Sequence, residues 1–335
     1  MKVLSILRVL TIRYRFDSRL IPGPRTLGKS PTSVGIKLFS VGDPPRSMID
    51  ETAEEIAAMQ THSSSVVAVK AAQALRELLD REYPTADEYL RALTQNSDAL
   101  RRANRSHASL HTSQREIIRR VEAAKPDSVE AAKTATEAAI ESVSEDVERG
   151  KRRAAREVAD LLADGETLLT HDYSTTVLSA LVRATEAGKS FTVYVTEARP
   201  RVLGRKMARR LAEIEDIETH LIIDSAGGHY LPECDRMLVG MSCIADGNLY
   251  NRVGTYQLAA TAADVGVPVV TTGSGSKLIT GGFQFKNDYR PVSEVMREPP
   301  EGFTVETPAY DATPLRLVDT VVTDEGVIDG NKLAE

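Results

Sequence analysis

GETLLTHDYSTTVLSALVRATEAGKSFTVYVTEARP, residues 165–200, decides the fold class. It opens on a short apolar run at 167–171, passes through a helically spaced stretch at 175–186 and returns to an apolar run at 191–196. The two runs are apolar nearly throughout instead of alternating, as in strands covered on both faces of a parallel sheet. Parallel neighbours need a crossover, and 175–186 has the length to supply it as a helix. The same grammar continues downstream. Apolar runs recur at 220–224, 236–240, 267–271 and 317–323, with helical stretches at 204–213 and 255–264. Right-handed crossovers then predict a Rossmann-like, doubly wound α/β domain over 165–335. Ligands in such sheets sit beyond the carboxyl ends of the strands. The positions of interest are therefore 171–174, 197–200, 224–227, 240–255 and 272–277.

Upstream, 48–164 reads as a helical domain. Ile56, Met59, Val66, Val69, Ala72 and Leu75 recur near helical spacing. Pro84, Thr85 and Glu88 form a stop followed by a capping box. Pro126 and Asp127 open a long stretch rich in Ala and Glu that runs toward Asp164. No strand-like run interrupts the region.

The chain has 335 residues, 41% hydrophobic and 5% aromatic, enough for a sizeable core or two domains. That composition excludes a disulfide miniprotein, a collagen-like repeat and a mostly disordered chain. No apolar run reaches the roughly 18 to 20 residues that span a bilayer. Cys234 and Cys243 have neither metal spacing nor a disulfide framework, so they read as small buried apolar residues of a reducing, cytoplasmic protein. No metal and no cofactor is expected, and no membrane association. The net charge of −6 is uneven. Residues 1–47 carry nine Lys/Arg and two Asp/Glu, leaving 33 basic and 46 acidic side chains for the rest. The basic segment is expected to reflect a start codon placed too early, with Met48 the true first residue, or else to be a transit peptide or a disordered basic arm. The acidic body disfavours general nucleic-acid binding. Its few lysines and aromatics and abundant Ala, Asp, Glu and Thr suit a high-salt cytoplasm.

The strand ends carry more specific signals: LLTHDYS (168–174), VYVTEARPRVLGRKMARRL (193–211), LIIDSAGG (221–228), LVGMSCIADGNLYNRVGTYQLAATAADVGVPVV (238–270) and YDATPLRLVDTVVTDEGVI (310–328). In this order and spacing, with Glu197-x-Arg199-Pro200 and Asn251-Arg252-x-Gly254-Thr255, they resemble the alpha/beta/delta regulatory-subunit family of translation initiation factor 2B. That family also holds methylthioribose-1-phosphate and ribose-1,5-bisphosphate isomerases. The resemblance spans 165–328, and the helical part matches only in general architecture.

The resemblance implies that the isomerases pair a cysteine in a Thr-His-Cys-like setting with an aspartate in a Gly-Ala-Asp-like setting. Here those positions hold Asp172 and Ser242. Cys243, next to Ser242, should face away in an extended stretch. Asp172 fits a general base as well as a strand-end carboxylate accepting backbone N–H groups, and no partner acid is evident. The family's Arg-Gly-Ala-like phosphate element matches His62, Ser63, Ser64 and Ser65, without its arginine. The expectation is therefore a non-catalytic regulatory subunit. It would form a homodimer or a hexamer, with initiation factor 2 as a partner and a retained pocket for a sugar phosphate or nucleotide. The alternatives are a divergent ribose-1,5-bisphosphate isomerase and a metabolite sensor.

Ligand-binding candidates are Arg199, Asp224, Asn251, Arg252, Gly254, Thr255 and Lys277. Arg199, Arg252 and Lys277 supply charge for phosphate oxygens. Arg199 also fits an ion pair with Glu197. Asp224 suits a ligand hydroxyl or a helix N-cap. Gly254 and Thr255 start a helix whose N-terminus could seat a phosphate, though capping alone would explain Thr255. His107 and His111, four apart, read as a solvated helix face. Arg201, Arg205 and Arg209 form one stripe, read as an ion-paired surface. Gly273-Ser-Gly-Ser-Lys277 lacks the spacing of a P-loop.

Overall fold

The computed structural model describes residues 47–58, 63–279, 281, 283–299 and 301–333. The basic segment, apart from Ser47, and His62 lie outside the described residues. The first part is helical: α1 (Met48–Ala57), α2 (Ser64–Ala74), α3 (Ala86–Ala103), α4 (Ala108–Ala123) and α5 (Val129–Leu161). The expected cap is present, since Thr85 Oγ1 accepts the Glu88 amide at 3.3 Å. Ser128, after Pro126 and Asp127, caps α5 through the Ala131 amide.

The 33 residues of α5 extend for about 50 Å. Its first half contributes Ala132, Ala139, Ile140 and Val143 to a core shared with α1 to α4, around Leu75, Leu93, Leu110 and Ile117. Its second half turns Ala155, Val158 and Ala159 into the core of the sheet.

The sheet follows. Its strands are β1 (Thr167–His171), β2 (Phe191–Thr196), β3 (Ile217–Ile222), β4 (Arg236–Gly240), β7 (Val269–Thr272), β9 (Thr320–Thr323) and β10 (Gly326–Asp329). The order is β10-β9-β7-β4-β1-β2-β3, parallel throughout except for the β9–β10 hairpin at one edge. α6 (Thr175–Glu186) and α7 (Gly204–Leu211) join α5 on one face. The one-turn α8 (Gly227–Tyr230) and α9 (Thr255–Val265) cover the other. This is the predicted doubly wound arrangement, with a helical part before it. β3 occupies 217–222 instead of 220–224, because Ile223 already leads into a tight turn at Asp224–Ala226.

A second sheet was not expected. β5 (Cys243–Ala245), β6 (Asn248–Arg252) and β8 (Tyr310–Pro314) pair antiparallel in the order β5-β6-β8. Asp246 and Gly247, both at positive φ, make the two-residue turn of the β5–β6 hairpin. The segment 240–255 is thus a built arm, not a loop after β4.

The chain order steps outward from β1 through β2 and β3, then returns to β4 on the other side of β1. The crevice beyond the carboxyl ends of β1 and β4 is the topological switch point, where such sheets bind ligands.

Candidate active site

A cavity of about 50 Å³ opens at that switch point. Its walls come from four places. The end of β1 gives His171 to Thr176, the end of β4 gives Gly240 to Ser242, the β6 arm gives Asn251 and Arg252, and the helical part gives Ser63, Ser64 and His107. Lys277 and Tyr310 complete it.

Asp172 leaves β1 with φ +66, a left-handed conformation uncommon outside glycine. That turn directs its carboxylate inward, where Oδ2 accepts Arg252 Nε at 3.0 Å. Both side chains are only about one-tenth exposed, at 12% and 11%. Arg252 also lies over the Tyr310 ring, 4.7 Å from its centre, as the β6–β8 register dictates. Burial opposes its charge, and Tyr310 and Asp172 beside it outweigh that, holding its pKa above the ordinary arginine value. Its Nη1 is buried with no hydrogen-bond partner.

Lys277 is 7% exposed and donates from Nζ to the Met241 carbonyl at 2.8 Å. Burial, and secondarily the Lys151 charge, bring its pKa down to about 8. His107 precedes α4 and is 3% exposed. Burial first, then the charges of Arg252, Lys277 and Arg201, bring its pKa down to about 3, so it is neutral. The reading of His107 as part of a solvated face is therefore corrected. Tyr310 meets its ring from 203 positions along the chain. His111 is partly buried, edge-on to the Phe283 ring at 5.1 Å.

Two helix N-termini also meet at the cavity. Ser63 precedes α2 with its side chain bonded to no helix amide, and Ser174 caps α6 through the Val177 amide. Ser63 Oγ and Thr175 Oγ1 lie 3.5 Å apart. Gly240 permits this closeness, since a Cβ there would sit 2.5 Å from Ser174 Oγ. Ser63, with Ser64 beside it in the cavity wall, belongs to the segment matched to the phosphate element of the resembled family.

Four expected ligand contacts are elsewhere. Asp224 holds the Ala198 and Arg199 amides, each at 2.7 Å, and clamps a loop in which Ala198 has φ +58. Arg199 lies behind Asp172 in a smaller hollow with Arg201 and Arg290, and donates to the Val295 carbonyl at 3.0 Å. Glu197 pairs with Arg205, not with Arg199. The start of α9 is already occupied: Asp311 Oδ2 accepts the Gly254 and Tyr256 amides at 2.6 and 3.1 Å. Thr255 Oγ1 donates to the Arg252 carbonyl and accepts from Asn251 Nδ2. Gly254, at φ +104, has its missing Cβ 3.0 Å from the His171 ring. His171 bridges Thr196 and the Val253 carbonyl. Gly254 and Thr255 are thus framework. Asn251, Arg252 and Lys277 reach the cavity, as do both altered positions, Asp172 and Ser242. Cys243 is fully buried outside the wall, and burial pushes its thiol up to about 12. Among the described residues no three His, Cys, Asp or Glu gather as a metal cluster. None of the described helices is long and apolar enough to cross a membrane.

Comparison with known proteins adds a family. The model of the Initiation factor 2 subunit family matches residues 60–330. Ribose 1,5-bisphosphate isomerase of Haloterrigena turkmenica is 33% identical over 294 residues, covering 82% of this chain and 88% of its own. The protein of the same name from Haloferax volcanii is 31% identical, covering 83% and 88%. Among solved structures, the translation initiation factor eIF-2B of Pyrococcus horikoshii OT3 superposes with a TM-score of 0.73 at 23% identity. It covers 87% of this chain and 100% of its own, a likeness of fold. The expectation of a non-catalytic regulatory subunit is overturned by these relatives. Sequence similarity over most of both chains runs to proteins named as isomerases.

Proposed function

Because the chain belongs to the Initiation factor 2 subunit family, we propose that it is a sugar-phosphate isomerase acting on ribose 1,5-bisphosphate. Asp172 is its base and Lys277 its acid. The observation that carries this reading is the pairing of those two buried groups on one cavity at the sheet's switch point. Converting an aldose to a ketose opens the sugar ring and moves one hydrogen from C2 to C1. The C2 hydroxyl gives up its proton to become the carbonyl, and the ring oxygen takes one up. No atom is gained or lost, so one base and one acid suffice.

Asp172 stands where the resembled isomerases carry a cysteine, and takes the C2 hydroxyl proton. Ser242 cannot titrate in the aspartate's place. Lys277, with a pKa brought down to about 8, holds a proton it can release near neutrality and protonates the ring oxygen. One phosphate sits against the starts of α2 and α6, where Ser63, Ser64 and Thr175 line the cavity. The other draws Arg252 away from Asp172, using the guanidinium edge that has no partner. That movement frees the base and joins the cavity to the arginine-lined hollow behind it. Substrate binding and activation of Asp172 are then one event. The chain also self-associates in this reading, and its assembly is measured by sedimentation.

The test is direct turnover of ribose 1,5-bisphosphate to ribulose 1,5-bisphosphate by the purified chain in high salt. Activity in the parent and its loss in Asp172→Asn are expected. A parent that binds the sugar but never converts it would end the proposal.

A further inference from the structure

His107 is a neutral nitrogen base on a cavity whose walls also carry His171 and the cations Arg252 and Lys277. Its Nδ1 is buried and has no hydrogen-bond partner among the described residues. A buried polar atom left without a partner is expensive, and ligand sites are where such atoms are kept. Its Nε2 is engaged, 3.4 Å from the Tyr310 hydroxyl. The state of that hydroxyl settles the state of the ring. The Arg252 guanidinium lies over the Tyr310 ring and helps set the charge around it. A hydroxyl beside a cation turns its lone pairs toward the charge and its hydrogen away. Of the two tautomers the contact allows, that favours the one in which the Tyr310 O–H donates to His107 Nε2. In a neutral imidazole the proton then resides on Nδ1, which becomes a donor awaiting an oxygen.

We propose that His107, through Nδ1–H, donates a hydrogen bond to a hydroxyl or carbonyl oxygen of the sugar and so selects for a sugar phosphate over a bare phosphate. The assignment rests on the isomerase reading for the identity of the sugar. Phosphate oxygens are served by the cations and the helix amides. A neutral, rigid donor suits an uncharged oxygen, and a site built around such a donor rejects ligands that leave it unpaired. His107 is thus a specificity residue touching the substrate, separate from the acid and the base.

The experiment is calorimetric titration of ribulose 1,5-bisphosphate and of inorganic phosphate into the full chain and its His107→Ala, His107→Asn and His107→Gln variants. Turnover of ribose 1,5-bisphosphate is followed in parallel. An asparagine amide nitrogen falls where Nδ1 does, and a glutamine's falls nearer Nε2. Affinity for the sugar bisphosphate is expected to drop about tenfold in the Ala and Gln variants, the worth of one hydrogen bond. The Asn variant stays near the parent, and phosphate affinity is unchanged in all. Equal sugar affinity in the Ala variant, or equal losses for sugar and phosphate, would overturn the assignment. Thermal melts guard against a misfolded variant, and the Asn and Gln pair, similar in bulk, decides the matter if the Ala variant does not fold. If the parent binds the sugar without converting it, the isomerase reading falls, and His107 is judged by the affinities alone. If the parent binds no sugar bisphosphate, the assignment falls as well.

Discussion

Asp172 and Arg252, 80 positions apart in sequence, form a buried ion pair at 3.0 Å across the mouth of the switch-point crevice. Tyr310 and then Asp172 favour the charge on the buried guanidinium, and the pair lines both hollows. Removing either half has two readable consequences.

Arg252→Ala leaves the Asp172 carboxylate buried without its cation. Breaking a buried pair from one side typically costs about 3–5 kcal/mol. A urea denaturation midpoint well below the parent's is expected, together with weakened binding of sugar bisphosphate. Asp172→Asn keeps shape and loses the base, so turnover should fall at least about 100-fold. Its ligand affinity should hold or improve, because Arg252 is no longer drawn to a carboxylate. A steady-state comparison of kcat and ligand affinity in the two variants separates these effects.

Lys277 sets the alkaline side of activity. Its folded pKa is about 8, below the ordinary 10.5. As the proposed acid it is lost above that value, so kcat/KM should decline above about pH 8. Lys277→Arg, which keeps its proton throughout, should be slower and lack that decline. Stability moves the opposite way. Between about pH 8 and 10.5 the unfolded chain holds a proton that the folded chain has released. Stability therefore rises with pH across that window. Urea melts at pH 8 and 10 should show the rise in the parent and a smaller one in Lys277→Met.

His107 acts on the acid side. It is neutral when folded, with a pKa near 3 against an ordinary 6.5. The unfolded chain takes up a proton between those values, so stability is lost as pH falls from 6.5 toward 3. Glu116 is held down to about 2 by Arg119 and then Arg120, and adds to that loss below its ordinary 4.5. Melts at pH 6.5 and 4.5 isolate the histidine. The parent should lose more over that interval than His107→Gln.

The start of α6 was legible at Thr175, where helical spacing begins, whereas α2 opens at Ser64 inside a broadly helical stretch. The alternation of β1, α6 and β2 was legible for a simpler reason. Buried parallel strands carry unbroken apolar runs, and the helix between them carries helical spacing. The β6 arm was not legible. NLYNR is half polar, and it forms a strand because β5 and β8 hydrogen-bond to it from either side. Its placement alone brings Arg252 to Asp172. Asp224, Gly254 and Thr255 were misassigned because a clamp, a cap and a ligand contact use the same residue types. The deciding partner of α9 is Asp311, some 55 positions from Tyr256. His107 was misassigned for the same reason, since the residues that meet it, Arg201, Arg252, Lys277 and Tyr310, are all distant in sequence.

Asp224 offers a check on that correction. Asp224→Ala removes both acceptors from the Ala198 and Arg199 amides and releases a strained turn. A loss of about 1–3 kcal/mol in urea melts is expected, with Asp224→Asn retaining part of it. Affinity for the sugar bisphosphate should change far less than in Arg252→Ala. A large, selective affinity loss in Asp224→Asn would return it to the binding site.

The two-core membership of α5 bears on how the molecule comes apart. Ala155, Val158 and Ala159 fill the sheet's face while Ile140 and Val143 fill the bundle. A fragment beginning at Gly165 would bare the apolar face that α5 covers, and one ending at Asp164 would leave the second half of α5 without a seat. Neither piece should persist alone, and heat should melt both layers in a single calorimetric peak, with this helix as the common axle on which they turn or fail together.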